Sequence, residues 1–219
     1  DRVLGSWTAK PPAKPKALSK KEQEVIPPGM THAVFVTEEP SGKLPQAIVS
    51  IPMPNGTKSD FASALVAWGL LVERAAQRLR DASSDGKSHL DSHMRPRALG
   101  RTLLIYAETI DGRPAVAAES ILKAMDDVVK GDFPDRDLTY MRRARSLRSM
   151  PGDGLESLLW FLADEITSGA PPGAELFLSD AIDAAPRDEI VRAAGVYFKR
   201  DRVSVVIDGG ARSDKDAFE

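Results

Sequence analysis

The sequence has no cysteine. Disulfides, thiol nucleophiles and cysteine-ligated zinc or iron–sulfur centres are therefore excluded, while the redox compartment stays open, because a cysteine-free chain folds in any of them. Long hydrophobic runs are also missing: no stretch of 18 apolar residues occurs, so no transmembrane helix is expected. The net charge of −2 supplies no global attraction for nucleic acid or for an anionic membrane. There is no GxxxxGK phosphate loop, no GxGxxG after an expected strand and no GxSxG elbow, which counts against an ATPase, a nicotinamide enzyme and an α/β-hydrolase. Histidine is scarce, three in all, and none belongs to a helical HExxH pattern. A cytoplasmic location is the default expectation; the chain opens on Asp1 without methionine, which is compatible with a processed leader.

What is present suffices for one sizeable core, since 42% of the 219 residues are hydrophobic. The chain is organised around Glu175 to Asp208. Two short apolar runs, Leu176–Leu178 and Val203–Ile207, flank a helical pattern that starts at Pro186, carries Asp188 and Glu189 in its first turn and repeats Ile190, Val191, Ala194, Tyr197 and Phe198 on one side. Strand, helix, strand at this spacing predicts a βαβ unit with Asp180 and Asp208 at the same carboxyl edge of the sheet. Ligands of open α/β sheets bind at that edge.

Residues 1–29 read as an extended, solvated arm or linker rich in proline and lysine. Arg2 and the lysines 10, 14, 16, 20 and 21 against Asp1 give the first 21 residues a net charge of +5, leaving −7 for the remainder. Trp7 is the aromatic that could anchor it. Residues 30–219 read as a single α/β domain. His32–Thr37 and Gln46–Ile51 are strand-like and could form a hairpin or a mixed-sheet edge. The clearest helix runs from about Asp60 to Arg80, with Phe61, Leu65, Trp68, Val72, Ala75 and Leu79 on one face, expected to bury itself against the sheet. Ala82–Arg97 reads as a polar loop, Arg101–Ala107 as a buried strand and Pro114–Val129 as a helix. Leu138–Ser149 and a segment from Leu155 to Ile166 read as further helices. The expected architecture is a three-layer α/β sandwich, with a mixed or mostly parallel central sheet and helices on both faces.

Three constellations could carry chemistry. His89, Asp91 and His93 alternate, so a locally extended backbone would point all three to one side, a geometry compatible with zinc, manganese or iron. Glu108 and Asp111 follow one expected strand, and Asp180, Asp183 and Asp208 follow two others. If the strands adjoin, these acids could converge on Mg or Mn as a phosphoryl-transfer site, with Asp180 and Asp208 as the catalytic pair. Arg142, Arg143, Arg145 and Arg148 could bind phosphate or a partner, or form a solvated helix face.

The run from Gly152 to Ala163, with Ala174–Asp180 and Arg202–Ile207, resembles the later half of von Willebrand factor A-type domains over about a third of the chain. That resemblance implies a doubly wound sheet and protein binding through a divalent metal. The family's D-x-S-x-S signature is absent after Ala107, where Glu108-Thr-Ile-Asp-Gly112 stands, so no ligand assignment is carried over. The leading functional expectation is a noncatalytic protein-interaction or assembly domain, with a protein partner or self-association and the basic arm, Trp7 and its lysines, as a partner-binding element. The alternative is a divalent-metal-dependent hydrolase acting on a phosphate ester or nucleic acid through the strand-end carboxylates.

Overall fold

Strict alternation sets the orientation of the central strand. From Gln46 to Met53 (β2) every second residue, Ala47, Val49, Ile51 and Met53, is buried and the intervening ones are half-exposed. A strand covered on both faces would be buried throughout, so β2 belongs to a sheet covered on one side. The computed structural model describes residues 33–40, 44–54, 59–82, 88–97, 100–148 and 178–211, with single positions at 159, 162, 163, 166 and 218.

The other strands are β1 (Ala33–Thr37), β3 (His89–Arg97), β4 (Gly100–Glu108) and β5 (Ser204–Asp208). They form one five-stranded mixed sheet in the order β1-β5-β2-β4-β3. Only the β1–β5 pair is parallel; β2 runs antiparallel to both β5 and β4, and β3 antiparallel to β4. The helices are α1 (Phe61–Ala82), α2 (Pro114–Lys130), α3 (Asp135–Arg148), α4 (Leu178–Ala184) and α5 (Arg187–Tyr197), followed by a 3-10 turn at Arg200–Arg202.

The core lies between the helices and one sheet face. Ala47, Val49, Ile51, Leu103, Ile105, Val205 and Ile207 from the strands pack with Val66, Leu70 and Leu71 of α1, Ile121 and Met125 of α2, and Ile190 of α5. Each large aliphatic side chain so buried contributes about 1.5–3 kcal/mol. Helix α2 starts on Pro114, where a missing amide costs nothing, and stops at Gly131, whose φ of 73° lets its N–H and that of Asp132 turn back onto the last carbonyls. Asp127 of α2 receives both arms of the Arg78 guanidinium at 2.8 Å, tying α2 to α1. Arg187, stacked on Phe133 with 4.3 Å to the ring centroid, donates to the carbonyls of Gly131 and Phe133 and so fastens α5 to the α2–α3 connection.

The α/β class and the mixed central sheet agree with expectation, and the helices at 60–80, 114–129 and 186–200 stand within a few residues of their expected bounds. Among the described residues, the helices contribute to a core on one face only. The apolar runs behind the expectation of two covered faces, such as Thr102–Ala107, in fact alternate: Leu103, Ile105 and Ala107 turn in, Leu104 and Tyr106 out.

Four local expectations are corrected. Leu178 opens a helix, so the βαβ unit does not form; a short apolar run of this kind is equally compatible with either element. β1 and β2 are not a hairpin, because β5 is inserted between them and β1 is the edge strand. The polar segment 89–97 is a strand rather than a loop, held by β4 in antiparallel register from His89↔Glu108 to Arg97↔Gly100. A doubly wound parallel sheet, as the von Willebrand factor A resemblance implies, is ruled out by the antiparallel pairing of β2, β3 and β4. The arm and most of the segment from Leu155 to Ile166 lie outside the described residues.

Candidate functional site

The sheet face turned away from the helices carries the functional candidates. Strand register lines its side chains into rows running across all five strands. One row reads Phe35, Val206, Ile48, Tyr106, Asp91: apolar across four strands and acidic at the β3 edge. The next reads Thr37, Asp208, Gln46, Glu108, His89, all polar. Phe35 is 58% exposed, while Val206, Ile48 and Tyr106 are half-buried by their neighbours.

Toward β3 this face forms an open groove of about 290 Å³ lined by Gln46, His89, Asp91, His93, Arg95, Tyr106 and Glu108. His93 Nε2 lies 2.9 Å from Asp91 Oδ2, and its ring leans on Tyr106 with 5.8 Å between centroids. The Asp91 Oδ1 accepts the Ser92 N–H at 2.7 Å, which fixes the carboxylate. Glu108 and Arg95 are exposed and have no ion-pair partner among the described residues. The groove therefore offers acceptors, donors and an aromatic surface in an open, solvated setting.

The extended backbone does place His89, Asp91 and His93 on one face. It also separates the two histidines by four strand steps, about 13 Å, whereas a helix would bring residues four apart onto neighbouring turns. Among the described residues no three His, Asp or Glu side chains come close enough to hold a metal ion.

The strand-end acids divide. Asp208 is 4% exposed and acts as a clamp: its Oδ1 accepts from Thr37 Oγ1 at 2.6 Å and its Oδ2 from Gln46 Nε2 at 3.2 Å, joining the ends of β1, β5 and β2. Glu108 stands in the same row, beyond Gln46. Asp111 is taken up by Arg113, whose Nη2 donates to it at 2.7 Å. Asp180 and Asp183 are exposed on α4, which packs against α3 and α1 in the helical layer, on the opposite side of the sheet from Asp208.

Two arginines of the cluster, Arg142 and Arg145, are engaged within the fold. Arg142 donates through Nη2 to the Ala185 carbonyl, and Arg145, 8% exposed, lies over the Trp68 ring at 3.6 Å. Arg143 is exposed on α3; the side chain of Arg148 lies outside the described residues, as do Trp7 and Lys10, Lys14, Lys16, Lys20 and Lys21. Trp68 itself donates from Nε1 to Ser92 Oγ at 3.1 Å, so the apolar face of α1 is spent on the sheet. Two groups outside the groove are electrostatically perturbed. Burial, then the hydrogen bond to Asp60, pushes the Tyr197 hydroxyl up to about 12, and the Asp126 hydrogen bond raises the Arg200 guanidinium further.

Sequence reasoning passed over Gln46, Ile48, Arg95 and Tyr106. The available signal was the alternation in His89-Leu-Asp-Ser-His-Met-Arg95, with polar residues at every odd position and Leu90 and Met94 between them.

The sequence matches no protein-family model and no curated protein. Solved structures do resemble it. The inactive peptidase domain of a protein from Bordetella parapertussis superposes with a TM-score of 0.61 at 18% identity, covering 80% of this chain and 97% of that one. The M16 inactive domain from Pseudomonas fluorescens gives 0.60 at 12%, covering 80% and 42%. The first half of the periplasmic protease PqqL from Escherichia coli gives 0.58 at 14%, covering 86% and 46%. The fold is that of M16-type peptidase domains. This chain thus spans nearly the whole of the Bordetella domain and less than half of the other two chains.

Zinc peptidases with an inverted motif carry H-x-x-E-H. The histidines four residues apart in this chain, His89 and His93, have serine rather than glutamate before the second and lie on a strand.

Proposed function

We propose that this chain is a noncatalytic interaction domain of the M16 kind, working beside a catalytic peptidase chain of the same fold rather than hydrolysing peptides itself. The observation that carries this is the placement of His89 and His93 on β3, about 13 Å apart by strand rise, in a fold whose neighbours include domains described as inactive. The open face supports a recognition role: an apolar row beside Glu108, with Arg95 farther along β3 and neither in an ion pair among the described residues, presents both contact area and orienting charge. The basic arm adds a second contact element of the assembly.

Mixing the purified chain with an M16-type peptidase that contains H-x-x-E-H tests this by sedimentation velocity. A defined complex that is weakened by Tyr106→Ala or Arg95→Glu is the expected result. Zinc-dependent peptide hydrolysis by the isolated chain, abolished by a chelator, would overturn the noncatalytic assignment. The cytoplasmic location belongs to the same proposal and is checked by cell fractionation. No helix among the described residues is long and apolar enough to cross a membrane.

A further inference from the structure

The two edges of the sheet differ in how they are protected. The β3 edge carries Asp91, Arg95, Pro96 and Arg97, charges and a proline of the kind that keep an exposed strand from pairing with another chain. The β1 edge, Ala33-Val-Phe-Val-Thr37, has no charge and no proline, and its Val34, Phe35 and Val36 favour an extended strand. Among the described residues no strand pairs with its outer side. Backbone direction fixes how that side can pair. The Thr37 carbonyl accepts the N–H groups of Gly209 and Gly210 at 2.9 and 3.0 Å, so Thr37 turns its backbone toward β5. Successive residues alternate, so Phe35 and Ala33 do the same, while the N–H and C=O groups of Val34 and Val36 point outward.

These groups are self-complementary. A second copy running antiparallel lets Val34 exchange both backbone hydrogen bonds with the second copy's Val36, and Val36 with the second copy's Val34, about a twofold axis through Phe35. Phe35 then faces its own counterpart at a non-hydrogen-bonded position, where Cα atoms lie about 4.5 Å apart and side chains come closest. It is 58% exposed, and an aromatic pair there removes that surface from water. Charge fits the same register. Glu38 and Glu39 are exposed directly after β1, and Arg202 is exposed two residues before β5; none of the three is in an ion pair among the described residues. Continuing the register past the strand end brings Glu39 within two strand spacings, about 10 Å, of the second copy's Arg202, inside the combined reach of the two side chains. Symmetry makes this contact twice.

We infer that two copies of this chain join their β1 edges in antiparallel register, centred on Phe35, to make one continuous sheet. This goes beyond the proposed partnering with a peptidase: the groove beside β3 lies at the opposite edge, four strand spacings or about 19 Å away, and stays open to another chain. Five residues a side with one aromatic pair bury less than the roughly 1,200 Å² of standard complexes, so the dimer is weak and reversible.

Because the chain has no cysteine, one introduced at the axis tests the register directly. A Cα separation of about 4.5 Å lies within the range of a disulfide, so mild oxidation of Phe35→Cys in the full chain should give about tenfold more covalent dimer than Glu38→Cys, whose two positions stand roughly 20 Å apart in this register. Sedimentation velocity of the unmodified chain from about 1 μM to 1 mM should show a monomer–dimer equilibrium. Val36→Pro removes an outward N–H and leaves the bonds to β5 in place, while Phe35→Lys sets two ammonium groups face to face; each should raise the dissociation constant by about tenfold or more. Circular dichroism checks that the variants keep the fold, and Phe35→Lys, at an exposed position, serves if Val36→Pro does not. A chain that is monomeric over the whole range, a dimer that neither substitution weakens, or equal cross-linking at positions 35 and 38 would each overturn the inference, the last two by moving self-association to another surface. No peptidase is present, so such a failure leaves the co-sedimentation result standing.

Discussion

Replacing Asp208 by alanine separates a structural carboxylate from a chemical one. The side chain is 4% exposed, takes 2.6 Å and 3.2 Å hydrogen bonds from Thr37 and Gln46, and sits where the parallel β1–β5 pair meets antiparallel β2. Hydrogen bonds to a charged group contribute about 1.5–3 kcal/mol. Thr37 is exposed and can turn to water when its acceptor is lost; Gln46 is half-buried and recovers less. The two losses together amount to about 2–3 kcal/mol, less the desolvation that the carboxylate no longer suffers, for a net of about 2 kcal/mol. With a urea slope near 2 kcal/mol/M, the midpoint falls by about 1 M. Asp208→Asn retains an acceptor for Thr37, and Gln46 can turn its amide to face the new NH₂, so about half the loss is expected. A midpoint for Asp208→Ala within 0.2 M of the parent, roughly 0.4 kcal/mol, would refute the clamp.

Three further outcomes follow from the same physical reasoning. Gly209 has a φ of 77°, and a Cβ there would meet Pro40 at 3.0 Å and Pro45 at 3.1 Å, so Gly209→Ala should cost about 2 kcal/mol in chemical denaturation. Trp68→Phe keeps a ring under Arg145 but loses the bond to Ser92, a cost of about 1 kcal/mol by thermal or urea melting; Trp68→Ala also empties the site and should cost about 3 kcal/mol. Tyr197 ionises near 10 when unfolded and about 12 when folded, so the fold favours its neutral form. Its contribution is intact below pH 10 and is lost as pH rises through 12; urea melts at pH 9 and 11.5 should therefore diverge less in Tyr197→Phe than in the parent.

Helices α1 and α2 were legible because their apolar positions recur within a few residues and proline or glycine marks their ends, as at Pro114 and Gly131. β5 was legible for a similar reason: a run of five residues, four of them β-branched, followed by Asp208 and two glycines admits few alternatives. α4 was not, since Leu176-Phe-Leu178 is too short for either period to declare itself. β3 was hidden by composition, its serine, histidines and proline reading as loop chemistry until β4 supplies the hydrogen-bonding partner. The site followed the same division. His89, Asp91 and His93 share a face as soon as the backbone is extended, but Tyr106 and Glu108 join them only through the β3–β4 register.

Local pattern alone dictated the bounds of the long helices, the lack of a helical HExxH pattern and the opposite charges of the first 21 residues and the rest. Strand order belongs to the folded molecule, because Thr37 and Asp208 meet across 171 positions of chain and no local rule selects such a pair. So does the identity of the uncovered sheet face. Alternation makes one side of each strand apolar, but the helices choose that side by packing, and the rows left on the other side then exist only as a product of register among five strands.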